Sequence, residues 1–148
     1  MSARSRPFRL VPDDPAEVDT QAVVMDALEV LLLPPAFAWA MPIGHIKLTP
    51  AQAARLKRIG TKAGLPDIMV AYGGAIFGIE LKKPGERLSR TRRYRTKRGT
   101  LMEVPGQVET FPRLTACGMK IGVCHSLPEV LACLAGWGIP LRNARVAA

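Results

Sequence analysis

The sequence predicts an α/β domain in which a mixed β-sheet is flanked by α-helices. Residue patterns that typically start helices recur at Asp14, Thr49 and Ser126. Short apolar runs of strand length lie between the second and third of these, and Gly73-Gly74 separates two of the runs as in a β-hairpin. Because helix and strand signals alternate along the chain, we expect the helices to pack on a mixed sheet.

The length and charge of the chain limit the classes of function. Its 148 residues suit one domain with a core, which we expect to span residues 14–148 after a basic flexible arm, residues 1–13. The chain has 21 Lys and Arg against 12 Asp and Glu, a formal charge of +9. This charge favours nucleic acid as a partner, although an anionic membrane surface would also satisfy it. No apolar run approaches the roughly 18 residues of a spanning helix, so we expect no membrane insertion.

The first helix is predicted from Asp14-Pro15-Ala16-Glu17, in which Asp14 is the N-cap and Glu17 completes a capping box. An apolar stripe continues to about Leu33, and Pro34-Pro35 end the helix. The next stretch, residues 36–48, is apolar but broken by Pro and Gly, so we expect one strand and a loop there.

The elements outside the β-hairpin are predicted from the same start and stop signals. They are a helix from Thr49 to Ile59 with Gly60 as its C-cap, a helix over 105–117, a strand over 119–124, and a helix from Ser126 to Gly136. Pro112 should kink or shorten the helix over 105–117.

The β-hairpin brings two acids together. Its apolar runs, residues 68–72 and 75–79, flank Gly73-Gly74, and tight primed turns need the positive φ that glycine adopts. Continuing the register of a regular hairpin beyond both runs places Asp67 opposite Glu80, with Cβ atoms roughly 5 Å apart. Like charges at that distance destabilise a sheet unless a cation lies between them, so the register predicts a divalent-metal site.

A lysine accompanies the two acids. Glu80 and Lys82 are two residues apart on one predicted strand and project from the same face. Phosphodiester hydrolysis needs a hard cation, which carboxylates bind, and a nearby lysine can orient the attacking water or stabilise developing charge. A structural interpretation stays open, in which Asp67 is a turn residue after proline and the other two form an exposed strand face.

A basic segment, residues 87–98 (RLSRTRRYRTKR), follows the hairpin and contains no acid. A solvated run of charge is one interpretation. The density of cations, a tyrosine among them and the charge of the whole protein favour contact with phosphates and stacking on bases, by a flexible loop or a hairpin arm. The residues predicted to contact nucleic acid are Lys83, Arg92, Arg93, Tyr94, Arg95, Lys97 and Arg98.

The other reactive or aromatic side chains are predicted to be structural. His45 and His125 lie far in sequence from the acids and lack partners at ligand spacing. The cysteines fit neither a disulfide framework nor a zinc site, which favours a reducing cytoplasm and positions in the core. Packing roles are expected for Cys117, Cys124, Cys133, Trp39 and Trp137.

Gly64-Leu65-Pro66-Asp67, then Glu80-Leu81-Lys82, then a glutamine opening a later helix, resemble the motifs of the PD-(D/E)XK nuclease superfamily. Within it the chain most resembles the VRR-type nuclease (VRR-NUC) domains of phages and some DNA-repair enzymes, in a phage-like single-domain form, over roughly residues 15–140. The resemblance implies a restriction-endonuclease-like core and a metal-dependent DNA endonuclease. It also implies a homodimer acting on branched or structured DNA in the cytoplasm of a bacterial or phage-infected host cell.

The resemblance further implies a role for each motif residue. The implied catalytic residues are Asp67, Glu80, Lys82 and Gln107, and the implied ligands of Mg²⁺ or Mn²⁺ are Glu17, Asp67, Glu80 and the main-chain carbonyl of Leu81. Gln21 matches the glutamine that relatives carry four residues after the first glutamate.

Two features depart from this pattern. In compact relatives the glutamine follows an R-L-S turn almost at once, whereas here Arg87-Leu88-Ser89 open a basic insertion, around residues 87–104, that precedes Gln107. The insertion is therefore interpreted as an added DNA-contacting arm. Glu17 is explained either as a metal ligand or as part of the helix cap. Two other functions stay open, a non-catalytic basic DNA-binding protein on the same scaffold and an RNA-directed nuclease.

Overall fold

The structure is a computed structural model that describes residues 17–41 and 48–143, with side chains described from Thr20 onward. The predicted arm, residues 1–13, the predicted N-cap Asp14 and His45 lie outside the described residues.

The described residues form four helices and six strands. In chain order they are α1 (Glu17–Leu31), β1 (Phe37–Ala40), α2 (Pro50–Arg58), β2 (Ile68–Tyr72), β3 (Ala75–Leu81), β4 (Arg92–Arg95), β5 (Leu101–Val104), α3 (Gln107–Ala116), β6 (Lys120–Cys124) and α4 (Leu127–Gly136). The main sheet has the strand order β1-β2-β3-β6, and β4 and β5 form a separate two-stranded sheet. β1, β2 and β3 are antiparallel neighbours, whereas β3 and β6 are parallel. The mixed sheet predicted from the sequence is therefore confirmed.

The register predicted for the β2–β3 hairpin is also confirmed. The Gly73-Gly74 turn has φ values of 60° and 78°, which suit the primed turn expected between the strands. Pairing runs from this turn to Ile68 opposite Ile79. Asp67 and Glu80 are the next residues in that register, at the end of the ladder.

One face of the main sheet forms the core with α1 and α4. The residues that are at most 1 % exposed there are Val24, Leu28, Ile68, Val70, Ile79, Val130 and Leu134. Because side chains alternate along β3, Ile79 and Leu81 point into this core while Glu80 points to the opposite face. There Gln107 of α3 contacts Glu80, so α3 covers this part of the second face.

The two predicted capping boxes within the described residues differ in outcome. At α2 the box is complete, because Gln52 N–H donates to Thr49 Oγ1 (3.2 Å) and Thr49 N–H donates to Gln52 Oε1 (2.9 Å). At α4 the side chain of Ser126 accepts from Glu129 N–H (3.4 Å) as predicted. The carboxylate of Glu129, however, accepts from His125 N–H (2.7 Å), one residue before the N-cap.

Pro112 was expected to kink or shorten the helix over 105–117, and α3 continues through this proline to Ala116. Its missing N–H deprives only the carbonyl of Val108, whose residue is 47 % exposed and accessible to water. Cys117 is exposed rather than in the core, because it is the C-cap of α3 and lies beyond the buried part of the helix. The predicted packing role of Trp137 is confirmed by its ring, which stacks on that of Phe77 at 5.3 Å.

The basic insertion adopts the hairpin form that was one of its two predicted forms, with β4 and β5 antiparallel. Within residues 17–41 and 48–143, no helix has both the length and the apolar character needed to cross a membrane.

Candidate active site

Two carboxylates lie side by side at the end of the β2–β3 ladder, next to the segment Gly64-Leu65-Pro66-Asp67. Asp67 N–H donates to Glu80 Oε2 (3.2 Å), and Leu81 N–H donates to Asp67 Oδ2 (2.9 Å). Each acid is therefore bound by the main chain of the other strand, which fixes both at the end of the ladder. The main-chain N–H of Leu81 thus contacts Asp67, and the carbonyl of the same residue is the implied ligand.

Glu80 is an acid buried on all sides. It is 1 % exposed, its Oε1 accepts a hydrogen bond from Gln107 Nε2, and Lys82 Nζ lies 3.2 Å from the same oxygen. Burial and the adjacent charge of Asp67 raise the pKa of Glu80 from 4.5 to about 7, while the contacts with Gln107 and Lys82 act in the opposite direction. One buried lysine therefore compensates the pair of acids only in part.

Lys82 is a buried cation bound between acids. Its side chain is 8 % exposed and also lies 3.7 Å from Glu86 Oε1. Burial is the largest single effect and lowers the pKa of this lysine, but the charges of Glu80, Glu86 and Asp67 and the hydrogen bond with Glu80 together outweigh it, so the net pKa is raised. Lys82 is therefore a protonated group beside the carboxylates, suited to stabilising negative charge rather than to accepting a proton. Lys83, the next residue, is exposed.

Gln107 reaches the site through Ser89, although seventeen residues of chain lie between them. Ser89 N–H donates to Gln107 Oε1 (3.1 Å), and the Ser89 hydroxyl accepts from Gln107 N–H (3.1 Å). Because Oε1 accepts from a main-chain N–H, the amide must present its NH₂ group to Glu80. Ser89 also accepts from Val108 N–H (3.1 Å), so it satisfies donors of the first turn of α3 from a distance in sequence.

Two glycines allow close contacts around the start of α3. Gly106 lies against the base of the insertion, and Gly64 lies against α3. A Cβ on Gly106 would lie 2.3 Å from the carbonyl carbon of Arg90 and 2.5 Å from Ser89 O, both main-chain atoms. Gly64 has φ +76°, and a Cβ there would lie 2.7 Å from Thr110 Oγ1. Thr91 strengthens the same junction, since its hydroxyl donates to Glu109 (2.7 Å) and accepts from Gly106 N–H (3.2 Å).

Replacing Gly106 with Ala is expected to destabilise the protein by about 1–3 kcal/mol, because main-chain atoms cannot move aside as a flexible side chain can. The matched control is Gly136→Ala at the end of α4, where a Cβ would meet nothing within 4 Å. Denaturant unfolding of both variants measures the difference. Equal stability of the two variants would contradict the close approach at Gly106.

His125, which is far from the acids in sequence, contacts the main chain of Lys82. It follows β6, and its Nδ1 lies 2.8 Å from the main-chain oxygen of Lys82. Since a carbonyl only accepts, Nδ1 must carry the hydrogen. The sequence held no signal for this neighbour, because parallel strands are joined by no turn that would set their register.

The β4–β5 hairpin presents most of the remaining predicted nucleic-acid contacts to solvent. All four residues of β4 are exposed, as are Lys97 and Arg98 in the turn. Arg93 pairs with Glu103 (2.8 Å), and Arg95 donates to Gly99 O (3.1 Å). The structure thus gathers most of the predicted cations on one hairpin. This hairpin is connected to the acids through Ser89 at its base, which binds Gln107.

The carboxylates fit a divalent cation in donor type. Carboxylate and main-chain carbonyl oxygens are the protein ligands that Mg²⁺ prefers, with water and phosphate completing the shell. Glu80 Oε2 accepts one hydrogen bond, and a carboxylate oxygen can take a second partner. Within the described part of the chain no group of three or more His, Cys, Asp or Glu residues could hold a metal. Glu17 begins α1, but its side chain lies outside the described residues, and Gln21 is half-buried on the same helix.

Comparisons with known proteins give no match, since no family model, no curated protein and no solved structure is significantly similar to this chain.

Proposed function

We propose that this protein is a Mg²⁺- or Mn²⁺-dependent DNA endonuclease of the VRR type, built on a restriction-endonuclease-like core of the PD-(D/E)XK superfamily. One observation carries the proposal: Asp67, Glu80 and Lys82 meet at the end of the β2–β3 ladder, beside Gln107. A solvent-facing strand would not need a buried acid whose pKa is raised to about 7. Buried groups with perturbed pKa values occur preferentially at functional sites.

The arrangement of the sheet supports the proposed core. An antiparallel β1–β2–β3 unit is followed by β6, which is parallel to β3, and α3 lies between them in sequence. Both acids and the lysine stand at one end of the central strands. Glu80 and Lys82 are held there by packing and hydrogen bonds rather than by a loop.

The residues divide the chemical work. A divalent cation held by Asp67, Glu80 and the Leu81 carbonyl would polarise the phosphate and acidify water when bound. Lys82 supplies a fixed positive charge toward the phosphate, where negative charge develops during hydrolysis. Gln107 fixes the rotamer of Glu80, and Ser89 fixes the amide of Gln107. Glu17 is retained as a further ligand in this proposal.

The proposed substrate is DNA, which the basic hairpin and Lys83 would contact through phosphates. Branched or structured DNA and a homodimeric assembly belong to the proposal as implications of the VRR-type resemblance. The formal charge of +9 supports a polyanionic substrate of this kind.

Cleavage assays test the proposal. Plasmid, linear duplex, four-way-junction DNA and RNA are incubated with the protein in Mg²⁺, Mn²⁺ or EDTA. We expect metal-dependent cutting of DNA that is lost in Asp67→Asn and kept in the control Asp26→Asn, on an exposed part of α1. Equal cutting by Asp67→Asn and the parent would show that the acids are not catalytic.

A second candidate, a non-catalytic basic DNA-binding protein, is favoured by one observation. The Oε1 of Glu80 already has two protein partners, so its carboxylate could serve the structure alone. DNA binding that persists in EDTA, with no cleavage under either metal, would support this candidate over the nuclease.

A further inference from the structure

The β4–β5 hairpin is built as a freestanding ribbon. Its strands pair from Arg92 opposite Val104 to Arg95 opposite Leu101, in a sheet separate from the main one. The turn is closed by Thr96 N–H donating to Thr100 O (2.9 Å) and Gly99 N–H donating to Thr96 O (2.8 Å). A two-stranded ribbon on its own is marginally stable in water. The hydrogen-bonded turn and the hydrogen bonds of Thr91 at its base nevertheless give the hairpin a defined shape. A defined, solvent-exposed ribbon is suited to binding a partner.

Positive charge lies on both faces of this ribbon and at its tip. Because side chains alternate along a strand, Arg92 and Tyr94 project from one face while Arg93 and Arg95 project from the other. The tip adds Lys97 and Arg98, both exposed. The one acid on the ribbon, Glu103, is already paired with Arg93 (2.8 Å).

This distribution of charge distinguishes between forms of nucleic acid. A single strand lying along the ribbon would meet one face and leave the cations of the other face in solvent. A groove of duplex DNA has a phosphate backbone on each wall, so a ribbon entering it meets phosphates on both faces. The major groove, about 12 Å wide, admits a two-stranded ribbon without deformation, whereas the minor groove, about 6 Å wide, must first be widened.

We propose that the β4–β5 hairpin enters the major groove of duplex DNA tip-first, with each face against one phosphate backbone. This deepens the proposed function and rests on it for the identity of the partner as DNA. The root of the hairpin is hydrogen-bonded through Ser89 to Gln107, and Gln107 to Glu80. The groove that the hairpin occupies thereby determines where the carboxylates meet the backbone.

A binding experiment in EDTA tests the two faces without any cleavage. Affinity for a short duplex and for one of its single strands is measured by fluorescence anisotropy over a salt series. Arg92→Gln and Arg95→Gln, from opposite faces, are each expected to weaken duplex binding several-fold and to reduce the salt slope by about 1, and the double variant by about 2. Arg142→Gln, an exposed arginine near the C-terminal end of the described chain, is the matched control and should leave both quantities unchanged.

Blocking one groove at a time completes the test. Glucosylated hydroxymethylcytosine fills the major groove and is expected to abolish the duplex preference, whereas netropsin in the minor groove should leave binding intact. Equal affinity for the single strand, a response confined to one face, or competition by netropsin alone would each overturn the proposal. Failure of the nuclease proposal looks different, because duplex binding of the predicted kind would persist while no metal supported cleavage.

Discussion

Replacing Lys82 with Met is expected to slow DNA cleavage by about 10²–10³-fold, the usual cost of removing one fixed group that stabilises charge in a transition state. Met keeps the apolar stem of the side chain but removes the cation that lies 3.2 Å from Glu80. The raised pKa keeps this lysine protonated in the parent protein. Because its side chain is only 8 % exposed, solvent has little access to compensate for the lost charge in the variant. Single-turnover kinetics at saturating DNA and metal measures the chemical step.

The control for this prediction separates loss of charge from loss of structure. Lys120→Met alters an exposed lysine at the opposite end of β6 and should cut at the parental rate. Circular dichroism and the unfolding midpoint show whether Lys82→Met is folded, since Glu80 loses its buried partner. A folded Lys82→Met protein with an undiminished rate would remove this lysine from the mechanism.

In the absence of divalent cations, we expect the free energy of unfolding to fall as the pH rises from about 4.5 to about 7. The pKa of Glu80 is 4.5 in an ordinary setting and about 7 in the folded protein, so the folded state binds more protons than the unfolded state in this window. Stability from this group is complete below pH 4.5, declines through the window and levels off above pH 7. The shift corresponds to a loss of about 2–4 kcal/mol.

Denaturant titrations in EDTA across this pH range compare the parent with Glu80→Gln. The variant keeps the volume of the side chain but cannot ionise, so its curve should lack this decline and cross above that of the parent near neutral pH. The charged groups that face position 80 are Asp67 and Lys82, and both are retained in the variant. Parallel curves would show that Glu80 ionises as freely in the folded protein as in the unfolded chain.

The sequence predicted the centre of the candidate site because its geometry is local. A two-residue Gly-Gly turn sets the register of the β2–β3 hairpin, and that register extends to Asp67 and Glu80. The alternation of side chains then places Lys82 on the face of Glu80. The relative positions of these three residues follow from the register and side-chain alternation of one hairpin.

Contacts between residues that are far apart in sequence could not be predicted from these short-range rules. Gln107 was assigned from the resemblance alone, and nothing in the spacing indicated that Ser89 would hold its amide across the insertion. The contact of His125 with Lys82 was not predicted for a related reason, since it depends on the parallel pairing of β3 with β6. The catalytic roles of Asp67, Glu80, Lys82 and Gln107 are predictions, as is the metal-binding role of Glu17, whose side chain lies outside the described residues.

The hydrogen bonds between Ser89 and Gln107 make the insertion a separable module. Both ends of the segment are held together by Ser89, Thr91 and Gly106 at its base, so the helix start does not depend on the ribbon, residues 92–104, that loops out between them. Shortening, exchanging or extending the ribbon would leave the hydrogen bonds between Ser89 and the first turn of α3 unchanged. The same carboxylates could therefore be combined with a different nucleic-acid-binding segment by replacing the ribbon alone.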